Sequence, residues 1–404
     1  MIGDRIAPVA MAFAILGLTH SARDLGIVLA AQTIPMALML LPAGVIADRL
    51  PRRGLLLSSD LIRLVTQAIT AGLLFSGHAP IWALALTQAI WGFAEAFFLP
   101  AVTGLMPELV AADSLQPANA LMSLGRNVSS IIGPVIAAAM IAASSAGAAM
   151  VADAASFGLS ALLIAGLPKS GHATPARALA RAIRGSFISD LKQGTHEVFS
   201  RPWLRTMIVA FAAYHVAIMP AIYVLGPLIA TSDYGGAPTY AFWISSFGIG
   251  AIGGGLLALR LRPRFPMRWV AGGLMVAATQ PLILGAGAPS LAMGGCFVIT
   301  GISVSYFFTV WDAAVQGRIP AESLARVASF DFFGSTALLP IGYALAGPFA
   351  ATVGTRAALL WIGAFGVLSA ASTLLVGEVR QLRASEGSAL DPAREADDAA
   401  HRLP

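Results

Sequence analysis

Gly44-Val-Ile-Ala-Asp48-Arg49-Leu-Pro-Arg52-Arg53 is the stretch on which the reading of this chain turns. An apolar run ends at Ala47, and one acid and three arginines then crowd into six residues. A glycine such as Gly44 lets two helices approach closely. Asp48 ends a helix, where it can accept from arginines across the short connection or lie near a neighbouring helix N-terminus, whose dipole favours an anion. A connection that only held positive charge on one side of a membrane would explain Arg49, Arg52 and Arg53. It would not explain an acid four residues after a glycine.

The rest of the sequence supplies the membrane. Of 404 residues, 57% are hydrophobic and 11% charged, against about 25% charged in a typical soluble domain. That excludes a soluble globular protein, a disordered chain and a secreted disulfide scaffold, and the single Cys296 argues against a cysteine-based metal site. A spanning helix needs about 20 apolar residues. Charge-free runs of that order cover 25–47, 64–94 (two segments, broken near Gly77–Pro80), 127–152, 154–168, 206–232, 234–259, 269–311 (two, broken at Gly287–Pro289), 332–355 and 357–377. With the N-terminal stretch they predict twelve transmembrane helices, an all-α polytopic membrane protein. Pro35, Pro42, Pro220, Pro227 and Pro340 fall inside helices and are expected to kink them.

Charge sets the orientation. With both termini inside, 20 of the 25 basic residues lie on the inner side and only Arg23 and Arg356 outside. The positive-inside rule therefore places both termini on the cytoplasmic side of the membrane. Because the positive charge is spread over every inner connection, no nucleic-acid partner is expected. The expected organisation is a six-helix bundle over 1–167, a cytoplasmic linker over 168–203, a second six-helix bundle over 204–378 and a disordered cytoplasmic tail over 379–404. Within the linker, Pro175 to Arg184 spaces arginines every three to four residues. It suits a basic amphipathic helix on the anionic leaflet or a solvated linker.

The two halves share weak patterns about 210 residues apart. Gly104-Leu-Met-Pro107 returns as Gly317-Arg-Ile-Pro320, Ile132-Gly133 as Ile341-Gly342, and Gly44 with Asp48, Arg49 and Arg53 as Gly255 with Leu259, Arg260 and Arg264. Duplicated halves place a substrate path between them.

The Gly44–Arg53 loop resembles the signature loop of the major facilitator superfamily. Further stretches are similar to its enterobactin exporter and macrolide efflux branch: Asp48 to Arg63, Gly92-Phe-Ala-Glu95-Ala-Phe-Phe-Leu-Pro100, Pro107-Glu108, Ala118-Asn119 and Gly133-Pro134. The resemblance implies a secondary transporter, not an enzyme, that exports a small organic molecule (drug, macrolide or siderophore-like) by alternating access and proton antiport. It would act as a monomer in lipid, with no cofactor beyond the proton gradient and no metal. An importer or facilitator on the same fold, or a non-transporting paralogue, are the alternatives. Family antiporters carry a glycine-rich motif on segment five. Here Gly133 and Pro134 remain, with Ser129, Ala137 and Ala138 in place of other glycines, which still allows close helix packing. The first helix departs from the family: Ile6 to Leu18 has 13 apolar residues, about 20 Å. The expectation is a start assigned too late, with truncation as the alternative.

Ionisable residues in hydrocarbon are functional candidates. Asp60 and Arg63 share a helix face and are read as a structural pair, and Arg126, Asp312 and Asp331 lie near inner helix ends, where Asp312 and Asp331 could join the inner gate. Glu95 sits deep in segment four, either as the proton-coupling group or paired with Arg126 on the next helix. Asp4 is the second coupling candidate, with Arg5 beside it. Asp153, Tyr214, His215 and Tyr223 are candidates for the substrate path, His215 being also readable as a packing residue. Gly248-Ile-Gly250-Ala-Ile-Gly253 lies inside an apolar segment and is read as helix packing rather than a nucleotide loop.

Overall fold

The computed structural model describes residues 2–47, 50–110, 114–167, 197–319 and 321–383. Expectations for Asp48, Arg49, most of the linker and the tail beyond 383 fall outside these residues. Among the described residues, twelve helical rods follow one another. In chain order they are α1 Gly3–Thr19, α2 Ala22–Ala47, α3 Arg52–Phe75, α4 Ile81–Leu109, α5 Leu115–Ala143 and α6 Ala146–Ala165. Then come α7 Pro202–Asp233, α8 Ala237–Arg260, α9 over 266–285, α10 Ser290–Gln316, α11 over 321–353 and α12 Thr355–Leu375. A short helix, α13 Gly377–Gln381, follows. Among the described residues, eight rods are long and apolar enough to cross a membrane by themselves. The connections alternate between two ends. One, the basic face, carries Arg52, Arg53, Arg260, Arg262, Arg264 and Arg268; the other is called the opposite face.

Helix limits differ from the charge-free runs in two instructive places. α3 starts at Arg52, twelve residues before the run at Leu64, so Asp60 and Arg63 lie inside the helix. The break between α5 and α6 falls at Ser144–Ser145, with the Ser145 hydroxyl capping Ala148 N–H, and not at Asp153. A charge marks a helix end only when it reaches water. Asp153 is fully buried and finds a partner instead. α1 has 17 residues, about 25 Å, because Gly3, Asp4 and Arg5 are helical and extend the apolar run.

The halves repeat one packing plan. α1 packs on α5 and α6, α2 on α4 and α3 on α6; correspondingly, α7 packs on α11 and α12, α8 on α10 and α9 on α12. The glycines carry the same symmetry. A Cβ on Gly133 of α5 would run into Arg5 of α1 and crowd Ile2 just before it, and one on Gly342 of α11 would run into Val216 O and Pro220 of α7. Pro220 has no N–H to give the Val216 carbonyl. That freed oxygen faces α11, and α7 adopts two π-helical turns, Tyr214–Ile218 and Ala221–Leu225, on either side of the proline. Prolines and π turns are the usual sites of helix kinks.

Glycines bring α8 and α10 into close contact. Gly250 lies against Val298 O, Gly254 against Ile302 O and Gly301 against Phe247 O, each too close to admit a Cβ. This is the packing function read from the glycine run. Gly301→Ala is expected to lower stability by about 1–3 kcal/mol through overpacking. Gly295→Ala, on the same helix with nothing within 4 Å, is expected to be neutral or slightly stabilising. Thermal melting of the two purified variants checks the contrast.

Between halves, α2 meets α11 and α5 meets α8. The named contacts concentrate toward the opposite face. Gly26 lies on Tyr343 O, Gly347 on the Arg23 backbone, and Ala138 with Ala237 and Ala241. Phe13 approaches Tyr240 at 5.9 Å, and Ser245 Oγ donates to Ile131 O at 2.8 Å.

Candidate functional site

α3 presents a polar stripe to the interior of the first half. Ser59, Asp60, Arg63, Thr66, Gln67 and Thr70 are all buried, at the spacing that puts them on one face of a helix. Each meets a partner or its own backbone. Ser59 Oγ donates to Ala94 O at 2.8 Å, Thr70 Oγ1 to Thr87 Oγ1 at 2.9 Å, and Gln88 Nε2 to Gln67 Oε1 at 3.0 Å. Gln67 Nε2 in turn donates to Asp153 Oδ2 at 2.7 Å. Thus α3, α4 and α6 are joined through side chains in a region where water is excluded.

Arg63 is the hub. Its guanidinium pairs with Asp60 at 2.5 Å and with Glu95 across the α3–α4 seam, and reaches Asp4 of α1 at 3.7 Å. The ring faces of Phe98 and Phe157 cover it, with centroids 4.3 and 4.4 Å from Cζ. The planar, weakly hydrated guanidinium suits this setting, since it stacks on rings while donating in its plane. Three carboxylates therefore share one cation. They differ in access: the Asp60 and Arg63 side chains are each 1% exposed, whereas Asp4 and Glu95 are 28% and 29% exposed.

Other candidates are placed as follows. Glu95 takes its cation from Arg63 and not from Arg126, which is exposed and donates to Ser123 at 3.4 Å. Arg63 precedes Glu95 by 32 residues, so no local window joins them. Arg5 packs against Gly133, and Asp4 looks to Arg63. Asp153 is closed to solvent. Tyr214 is buried, His215 and Tyr223 are half-buried, and all three lie in the π-helical turns of α7; His215 Nδ1 is 2.8 Å from Phe211 O. In the second half, Trp311 Nε1 donates to Asp331 at 2.8 Å, within an aromatic cluster where Phe211 packs on Phe307, Phe308 and Trp311. Asp312 is exposed. At the basic face, Arg53 donates to the carbonyls of Ile164 and Ala165 at the end of α6, where a cation satisfies the last helical oxygens. Arg52 opens α3, and Gly44 lies in α2. No group of three or more metal-ligating side chains occurs among the described residues.

Gln67, Gln88, Thr70 and Thr87 were not singled out from the sequence, although the stripe on α3 has a readable period. The rings of Phe98 and Phe157 carry no such signal, because apolar residues are the rule in these helices.

A network of buried charges inside one of two pseudo-symmetric six-helix bundles suits a transporter. A family model described as a transmembrane secretion effector matches residues 1–400. The chain belongs to this family. This secretion effector is 24% identical over 397 residues to macrolide efflux protein A of Streptococcus pyogenes, covering 95% of this chain and 94% of that one. It is 26% identical over 390 residues to the multidrug efflux pump Tap of Mycolicibacterium fortuitum, covering 94% and 93%. Two solved structures share its fold. One is a bacterial homologue of the human lysosomal transporter Spinster in an inward-facing, unoccupied conformation (TM-score 0.72, 16% identity, 96% of this chain and 97% of that one). The other is a variant of the nucleoside transporter NupG (TM-score 0.72, 12% identity, 93% and 99%). The secretion effector is thus an efflux transporter of a bacterial membrane, with a major facilitator fold and a small-molecule substrate.

Proposed function

We propose that the protein exports an amphipathic organic compound of the macrolide, drug or siderophore-like kind by alternating access, exchanging it for protons bound at Glu95 with Asp4 assisting. The observation that carries this reading is the sharing of Arg63 by Asp4, Asp60 and Glu95. One guanidinium balances one carboxylate; additional ionised carboxylates beside it repel one another in a poorly solvated site. A cluster of this kind can hold a proton among its carboxyl groups. Asp60 is sealed, so exchange falls to the two acids with exposed surface. They stand on α1 and α4, so a change in the α1–α4 separation alters which acid Arg63 serves. Proton occupancy is in this way tied to helix position.

The remaining assignments follow the same reading. Asp48, Arg49, Arg52 and Arg53, after Gly44, act as the gate at the basic face. That face is the cytoplasmic one, given the distribution of arginines. Tyr214, His215 and Tyr223 line the substrate path where α7 bends. The protein works as a monomer in lipid, and the proton gradient is its sole energy source.

Glu95→Gln keeps the size and hydrogen-bonding capacity of the side chain and removes its proton exchange. In inverted vesicles, proton-gradient-driven uptake of erythromycin by this variant is expected to fall to the level of vesicles without the protein, while gradient-independent exchange of the drug persists. Undiminished gradient-driven uptake would exclude Glu95 as the coupling group.

A further inference from the structure

Asp153 occupies a position that the coupling scheme leaves unused. It lies on α6 and is 0% exposed. Its Oδ2 accepts from Gln67, and its Oδ1 is buried without a hydrogen-bond partner. The groups that face it are few. α1 brings Gly3 and Asp4, α3 brings Gln67 and, one turn earlier, Arg63, and α4 brings Glu95 behind Arg63. The titratable residue of α5, Arg126, is turned to Ser123. The ion pairs of Arg63 are with Asp4, Asp60 and Glu95, and none reaches Asp153. A buried carboxylate with one hydrogen bond and no contacting cation carries a heavy desolvation cost, which the neutral acid avoids.

The glycine beside it is informative. A Cβ on Gly3 would collide with both Asp153 Oδ1 and Ser156 Oγ. The α1 backbone thus lies directly over the free carboxyl oxygen and covers it. Asp4, the next residue of α1, faces Arg63. One displacement of α1 would lengthen the Asp4–Arg63 contact and uncover Asp153 together.

We propose that Asp153 is a second proton-binding site, occupied in this conformation under the cover of Gly3 and opened to exchange when α1 moves off α6. The proposal rests on the proton-antiport reading and extends it: a cycle then moves a proton at the Arg63 cluster and another at Asp153. Nothing else is transferred, since the carboxyl takes up and gives back a proton with no bond made elsewhere.

Infrared spectroscopy of the purified full chain tests the site without a substrate. The wild type is expected to show a C=O stretch of a protonated carboxyl that shifts in heavy water. Asp153→Asn is expected to lose it, and Glu95→Gln to keep it. A wild-type band left unchanged in D153N overturns the assignment. Should D153N fold poorly, Gln67→Leu removes the donor to Oδ2 and is expected to shift the same band without deleting it; an unshifted band there also overturns the assignment. In proteoliposomes loaded with erythromycin, D153N is expected to move one proton fewer per drug molecule than the wild type. Wild-type efflux that ignores the proton gradient would overturn the antiport reading. Gradient-driven wild-type efflux with the same proton ratio and the same infrared band in D153N would overturn only the role of Asp153.

Discussion

Arg63→Gln is expected to lower the stability of the protein by about 3–5 kcal/mol, the cost typical of removing one partner from a buried ion pair. Arg63 is 1% exposed and holds Asp60, Glu95 and Asp4. The glutamine leaves the acids without a cation and strips Phe98 and Phe157 of the guanidinium between them. The loss should appear as a lower melting temperature and a smaller monodisperse fraction of purified protein. Asp60→Asn added to R63Q is expected to restore part of the loss, because the acid sealed beside the arginine is then neutral. A double-mutant cycle on the two positions should give a coupling of about 0.5–3 kcal/mol. Arg63→Lys is expected to rescue incompletely, since an ammonium cannot bond in plane to carboxylates while stacking on two rings. A variant R63Q with wild-type stability would mean that the acids are already neutral without it.

Much of the fold is legible along the chain because hydrophobic length is a local property. The breaks at Gly77–Pro80 and Gly287–Pro289 fall between helices in the structure, and the glycine run of α8 packs a helix as its composition suggests. The charge-free runs show the limit, since two of them part at Asp153, inside α6. Counting charges locates water only if each charge is wet, and Asp153 is not. Pairing is less legible. Asp60 and Arg63 are three residues apart and lie on one face by helical geometry alone. Glu95 and Arg63 come together only because α3 and α4 run antiparallel at one particular offset, which single-chain spacing does not define. Arg126 is one residue closer to Glu95 in sequence than Arg63 is, and turns elsewhere. The π-helical turns of α7 have a visible cause in Pro220, but a proline alone does not distinguish a kink from a π turn.

The second large effect is expected at the seam between halves. Gly26 of α2 lies against the Tyr343 carbonyl of α11, and Gly347 of α11 lies against the Arg23 backbone of α2. Neither position has room for a Cβ, and the obstructing atoms are backbone, which cannot swing aside. Gly26→Val should therefore penalise the state closed at the opposite face while leaving an open state untouched. Overpacking costs about 1–3 kcal/mol, and each 1.4 kcal/mol is about a tenfold change in population. The expected shift is thus about five- to 150-fold toward opening at that face. Spin labels at His20 and Thr352, both near that end and outside the buried core, read it after Cys296→Ala removes the native thiol. G26V should lengthen the mean label distance, and Gly347→Val should do the same from the other side of the seam. Gly72→Val, with nothing within 4 Å, should leave the distance unchanged. A transporter held open at one face cannot complete a cycle, so G26V should also lose net efflux while remaining folded and monodisperse. An unaltered distance distribution in both seam variants would show that the halves separate along another line, and would remove α2 and α11 from the closing motion.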